Sequence, residues 1–594
     1  AALATTAFAA PVGAQDEPSS GGVIVYGDWQ PVSQLNPYMT NTVTNFQATT
    51  LVWPPPIDID TDGNYVPDLL EEVPSAENGG LVVDEDGDGF TLNLMMKPDL
   101  KWSDGMPLTL NDHKWTYDWA VEMLKSGIGC GRCAAFVPLV DPTAGVEEDA
   151  DGNPVTDVDV LYAPENQVVE SYTISEDGLT AEVTFRQNYA AWRDWLASYY
   201  IIPGQFWGDI APEDVATTAV PGSPALPEIP ASGPFVITGS SSDGIDYAPN
   251  PEYNASDGPY LDGLRYQFYG SKDGMIAAFL AGEIDLALDM TQADFPAVSQ
   301  VDPSIGRAEV DPQWGYEHLD LNFMSTQVGF DDPLVRTAIA HAVDKQKLSA
   351  VLFPGAGVEP ACSPAPPSIW YHTETTCPEY DPDQSMALLE EAGWMNEGGA
   401  WVKDVDGDGE SETLRLKMCT SSGNPTRLTT LGVVAQDLAA VGINTPIQTE
   451  DAASVYFADW ADTTPETECS IYRGSYDVAL FAWVFTGDLY GDAFYVYHSS
   501  QIPSDDNPNG YNNTRIADPD IDAALDAIGA SVDPAFQLEQ ANVVQQGIID
   551  TVTEIPLYYR SETTGISNRV GGWEKYNPST AGAMWDTESW FVQE

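Results

Sequence analysis

Three segments space their aspartates as a hard-cation loop would: Asp58, Asp60 and Asp62 before Gly63; Asp84, Asp86 and Asp88 before Gly89; Asp404, Asp406 and Asp408 before Gly409. Carboxylates at alternate positions, with a glycine bend, can wrap oxygens round calcium. The closing acid of such a loop is missing, replaced by Leu69, Met95 and Arg415. Asp-Gly hairpin turns account for the same pattern in an acid-rich chain. Calcium is therefore a candidate ligand, with the third loop favoured because Glu410 and Glu412 follow it. No other cofactor is required by any motif.

The six cysteines are Cys130, Cys133, Cys362, Cys377, Cys419 and Cys469. Many pairings are open. Local closure favours Cys130–Cys133 and Cys362–Cys377, which leaves Cys419–Cys469. The Cys130-Gly-Arg-Cys133 unit also has redox spacing, but it follows a helical run instead of opening one. A redox thiolate gains from the positive end of a helix dipole. Zinc would need a second such pair, and the sequence has none. His113, His318, His341, His372 and His498 are scattered, and HExxH, GxSxG and lysine-bearing phosphate loops are absent. Paired carboxylates could serve a hydrolase. With 92 acidic residues, though, some pair is always close, and composition cannot support that chemistry.

The elements that must position such residues belong to a long acidic chain. Single cores stop growing at roughly 250–300 residues, so 594 residues predict two or three lobes. The formal net charge of -70 repels nucleic acid and anionic lipid, which excludes both as partners. Residues 1–21 read as a signal-peptide remnant and disordered leader, with Val12-Gly13-Ala14 resembling a cleavage site. That reading, with an even cysteine count, predicts an exported protein in the periplasm or outside the cell. No later stretch approaches the roughly 20 apolar residues of a membrane span.

Periodicity predicts strands at 22–26, 90–95, 233–237 and 555–559. It predicts helices at 110–124, 274–281, 332–352, 383–392 and 426–441. Asn111 or Asp112 is the expected cap of the first helix. Residues 27–42 and 211–232 read as exposed loops. The mixture, without a repeat of fixed period, is α/β or α+β.

Several phrases then coincide in order with one family. They are GNYVPDL at 63–69, WSDGMPLTL at 102–110, SGPF at 232–235, GEID at 282–285, DPLVRTAIAHAVDK at 332–345, and YDPD at 380–383 with LLEEAGW at 388–394. Together they resemble the family 5 extracellular solute-binding proteins, the dipeptide, oligopeptide and nickel receptors of ABC importers. By itself each phrase reads as structure: a tight turn at 102–105, a helix cap at Asp332, a solvent-facing Arg336.

The resemblance implies an α/β, bilobal clamp of the periplasmic-binding type (type II, cluster C-like) with an accessory domain. Residues 22–50, 200–316 and 556–594 would form lobe I, 51–199 the accessory domain and 317–555 lobe II. It also implies a monomer that captures a peptide or other small solute by hinge closure and delivers it to an ABC importer permease. It is not expected to be an enzyme. The alternatives are a secreted carboxylate hydrolase and a calcium-dependent surface protein.

Family members that bind peptides hold the ligand ammonium with an acid just after a Trp. The matching stretch here carries Trp483, Phe485 and Asp488, with Thr486 at the usual acid position. Asp488 is the candidate amine anchor and Trp483 the candidate stacking wall. Trp29 and Tyr38 after the first strand, Tyr316 and His318 on the hinge return, and Tyr559 on the final re-entry complete the candidate lining. Asn424 and Arg427, opening a helix, could meet a ligand carboxylate.

Overall fold

A computed structural model describes residues 20–593, except 41, 85–86, 149–153, 406, 459–468, 506, 509 and 580–581. The expected leader lies outside the described residues up to Ser19.

Ten strands form one sheet: β1 (Val23–Asp28), β2 (Phe235–Ser241), β3 (Gly244–Pro249), β4 (Gly263–Phe268), β5 (Leu286–Thr291), β6 (Gly306–Leu321), β7 (Met418–Ser421), β8 (Ile447–Glu450), β9 (Val478–Val484) and β10 (Glu554–Ser567). Their order across the sheet is β2-β3-β4-β1-β5-β10-β6-β9-β7-β8. Strand β1 runs parallel to β4 and β5, and β7 runs parallel to β8 and β9. The two groups are joined by β6 and β10, long antiparallel partners that cross from one half of the sheet to the other. A separate sheet orders Leu81–Val83, Phe90–Met95, Thr180–Phe185 and Val169–Ile174 and carries helix α1 (Leu110–Lys125).

Helices α2 (Lys272–Leu280), α3 (Pro333–Ala342), α4 (Lys345–Leu352), α5 (Pro382–Glu391), α6 (Pro425–Ala440), α7 (Leu489–Tyr497), α8 (Pro519–Gly529) and α9 (Pro534–Asp550) flank the strands. Five of these start on an Asx-Pro pair: Asp332, Asp381, Asn424, Asp518 and Asp533 each accept a backbone N–H of the first turn. The proline at the first helical position gives up an N–H that would have had no partner. One core packs α3–α6 against Leu319, Leu321, Met418, Leu480 and Leu557 of the sheet.

The structure corrects several expectations. Thr109, not Asn111 or Asp112, is the N-cap of α1, and Asp112 closes the cap by accepting the Thr109 N–H at 2.8 Å. Residues 27–42 are not an exposed loop, since Leu35, Asn36 and Tyr38 are fully buried. Within 211–232, Pro212–Thr218 is helical and packs Val215 inward. The helix expected over 332–352 breaks at Val343, where Asp344 caps a second helix. Arg336 does not face solvent. It is buried, donates to the carbonyls of Phe330 and Thr551, and lies over the Phe323 ring. Cys133 does open a short helix, Cys133–Phe136, but it is bonded to Cys130. The other disulfides join Cys362 to Cys377 and Cys419 to Cys469, the pairing that local closure favours. No described helix is long and apolar enough to cross a membrane.

Candidate functional site

Strands β6 and β10 pair from Gly306 to Pro312, lose register, and resume at Tyr316 opposite Tyr559. Proline has no N–H to give a ladder, so Pro312 is a natural place for the pairing to lapse. The three residues passed over, Gln313, Trp314 and Gly315, open onto a cavity of about 580 Å³, and Arg560 of β10 faces it. That volume is in the range of small-ligand sites. The rest of the wall converges from distant segments: Phe46, Arg132, Asp194 and Tyr199 from before β2, Asp289 from β5, the Val484–Phe485–Thr486 run at the end of β9, and Tyr576 after β10. A shallower groove of about 370 Å³ lies on the separate sheet, but it brings no cation to its wall.

The cavity wall carries two cations and two carboxylates in a chain where Lys and Arg number only 22. Arg132 is fixed: it donates to the carbonyls of Pro37 and Ser198 and stacks on Phe46 at 4.7 Å and Tyr199 at 5.1 Å. Arg560 has no ion pair among the described residues, so its guanidinium is available to a ligand. Asp194 accepts the Ser198 hydroxyl at 2.8 Å. Burial first, then the charge of Asp488, pushes the Asp194 carboxyl up to about 7, against the pull of Ser198 and the arginines. Asp289 is also raised by burial, opposed by a 2.8 Å hydrogen bond from Gln30 and by the charges of Lys272 and Arg560. Asp289 holds a positive φ of 57°, a strained position for a residue other than glycine.

Of the residues singled out in the sequence, Phe485 lines this cavity. Asp488 turns away and caps α7, accepting the Tyr490 N–H at 3.1 Å. Its neighbour Asp492 holds the run in place by accepting the N–H groups of Thr486 and Gly487 at 3.0 Å each and the Tyr371 hydroxyl at 2.8 Å. Trp483 stacks on His318, meets Phe481 edge-to-face and is not on the cavity wall. Tyr38 is a core residue whose hydroxyl donates to the Tyr200 carbonyl. Trp29 donates to the Asp289 carbonyl behind the wall, and Tyr559 to the Ser363 carbonyl. Tyr316 and His318 are fully buried. Asn424 caps α6, and Arg427 is spent on Glu317, with both carboxylate oxygens within 3.1 Å of its nitrogens.

Sequence reasoning missed Arg132, Asp194, Trp314 and Arg560. Arg132 sat inside a unit read for its cysteines. A rare cation directly after the apolar run Ile555–Tyr559, as at Arg560, was the available signal.

The aspartate loops are hairpin turns where they are described. Asp60 accepts the N–H groups of Asp62 and Asn64, between the paired strands Ile57–Ile59 and Tyr65–Pro67. Asp404 accepts those of Gly407 and Gly409, and Asp408 that of Glu410. Asp86 and Asp406 lie outside the described residues.

Residues 64–506 match the family described as bacterial extracellular solute-binding proteins, family 5 middle. Heme-binding protein A of Haemophilus influenzae is 29% identical over 350 residues, 58% of this chain and 56% of its own length. The chain thus spans little more than half of that relative. The oligopeptide-binding protein OppA of Lactococcus lactis subsp. lactis is 23% identical over 509 residues, covering 82% of this chain and 77% of the relative. The structure of the oligopeptide-binding protein AppA from Bacillus subtilis, in complex with a nonapeptide, superposes with a TM-score of 0.61 at 18% identity, over 97% of this chain and all of the other.

Proposed function

The chain belongs to the bacterial extracellular solute-binding proteins of family 5, and from that premise we propose that it is an exported receptor of an ABC importer. It captures a peptide or other small solute in the cavity at the β6/β10 register break, closes on it by a hinge, and hands it to the membrane permease as a monomer. The observation that carries this is the cavity itself: long strands shared by both halves of the sheet lose their pairing over residues that line it. A local lapse in an otherwise long ladder is where a clamp bends most cheaply. In this reading lobe I comprises 22–50, 200–316 and 556–594, the accessory domain 51–199 and lobe II 317–555.

Arg560 suits a ligand carboxylate, and Asp194 or Asp289 a ligand ammonium. Asp194 thereby takes the amine-anchoring role that the sequence offered to Asp488. No catalytic step is assigned to any of these groups, and calcium is not needed for binding at this cavity. Nothing in the cavity or the family match favours a hydrolase or a calcium-dependent surface protein. Native mass spectrometry of freshly purified protein tests the reading directly. A co-purified solute, displaced by a peptide mixture in competition, is the expected result. A protein that carries no solute and binds no peptide, heme or sugar by calorimetry would overturn it.

A further inference from the structure

Strand alternation puts Tyr316, His318 and Asp320 on one face of β6, while Leu319 and Leu321 point into the helical core on the other. Glu554 of β10 lies directly opposite Asp320 in the ladder. His318 Nε2 is therefore 3.2 Å from Asp320 Oδ1 and 3.9 Å from Glu554 Oε2, and one ligand atom from each residue lies within 4.8 Å of the others. All three residues are essentially inaccessible, at 0%, 1% and 1% exposure. His318 Nδ1 and Glu554 Oε2 have no hydrogen-bond partner among the described residues, and His318 Nε2 and Asp320 Oδ1 face only each other. The other Glu554 oxygen is satisfied by the hydroxyls of Tyr316 and Tyr497.

The geometry points to a structural binding site for one divalent transition-metal ion of the zinc class, held by His318, Asp320 and Glu554. Two buried carboxylates and an imidazole with unused acceptor atoms are costly without a counter-charge. A divalent ion with a neutral imidazole makes the group electroneutral, gives Glu554 Oε2 a partner and replaces the lone His318–Asp320 contact. Metal–ligand bonds of about 2.0–2.2 Å in a tetrahedral shell place ligand atoms about 3.3–3.6 Å apart, a range the 3.2 and 3.9 Å separations bracket. The mixed nitrogen and oxygen set disfavours calcium and magnesium, which take six or more oxygens. Tyr316 and Tyr497 would orient the Glu554 ligand from behind. The ion would tie β6 to β10 a few residues from the cavity, on the lobe II side of the crossing. This site is independent of the solute and of the aspartate loops.

The test uses full-length protein produced in zinc-supplemented medium, passed over chelating resin and gel-filtered. One equivalent of zinc per chain, retained in His318-competent protein and lost in His318→Gln and Glu554→Gln, is the expected result. An Asp404→Asn/Asp408→Asn variant should keep it, which separates the site from loosely held ions on an acidic surface. Absence of a retained equivalent in the wild type, or retention in both folded site variants, would overturn the inference and leave an imidazolium–carboxylate pair in its place. Where the variants fail to fold, Co2+ bound to wild-type protein decides. A four-coordinate visible spectrum that survives excess Ca2+ and Mg2+ supports the site, and its absence overturns it.

Discussion

Arg560 and Asp194 differ in how the protein holds them, and that sets what each substitution should do. Arg560 is half-buried with no ion pair among the described residues, so Arg560→Ala removes little from the fold. For a ligand with a carboxylate, calorimetry should show affinity falling by about 1.5–3 kcal/mol, the worth of a charge-assisted hydrogen bond. An unchanged affinity would place the carboxylate elsewhere. Burial and the charge of Asp488 push the Asp194 carboxyl up to about 7, so its ionised form is costly near neutral pH. Asp194→Asn should therefore raise the melting temperature near neutral pH while weakening binding of an amine-bearing solute. A variant both less stable and equally tight would contradict that trade. That Asp488 caps α7 instead of lining the cavity has a physical cause. A family phrase fixes distance along the chain, whereas one residue more or less decides whether a carboxylate faces a cavity or caps the next helix.

At the scale of elements, local grammar was readable and convergence was not. The Asx-Pro starts at Asp332, Asp381 and Asn424 mark helices near where the sequence predicts them, because capping is satisfied within a single turn. The break between α3 and α4 was hidden, since an apolar period continues across Val343 while Asp344 starts a new cap. The length of β6 and its lapse at 313–315 were also hidden, because they depend on a partner more than two hundred residues away. The same lapse makes Gly487 critical. It holds φ at +99°, and a Cβ there would lie 3.0 Å from the Trp314 ring. Gly487→Ala should cost on the order of 1–3 kcal/mol through backbone strain. It should also displace Trp314 from the cavity wall, so denaturant midpoint and solute affinity fall together. A drop in neither would mean that the run after β9 is free to shift.

Across the whole molecule, a net charge of -70 and a set of buried carboxylates act on stability through different physics. Burial lifts Asp28, Asp58, Asp194 and Asp586 to about 7 and Asp492 to about 8. In an unfolded chain each would titrate near 4, roughly the free aspartate value. Between those limits the folded protein holds protons that the unfolded chain has lost. Stability therefore falls as pH rises from about 4 towards about 8, and is regained on acidification through that window. Repulsion among exposed carboxylates adds to the same trend, but salt screens it within a Debye length of about 10 Å at 0.1 M and 3 Å at 1 M. The desolvation cost of buried carboxylates is not screened. Melting curves at about pH 5 and about pH 8, each from low to molar monovalent salt, separate the two contributions. The melting temperature should rise with salt at both pH values and more steeply at pH 8. In molar salt the pH 5 sample should still melt higher. A pH difference that vanished in molar salt would assign the whole effect to surface repulsion, and a melting temperature flat in salt would remove surface repulsion as a factor in this fold.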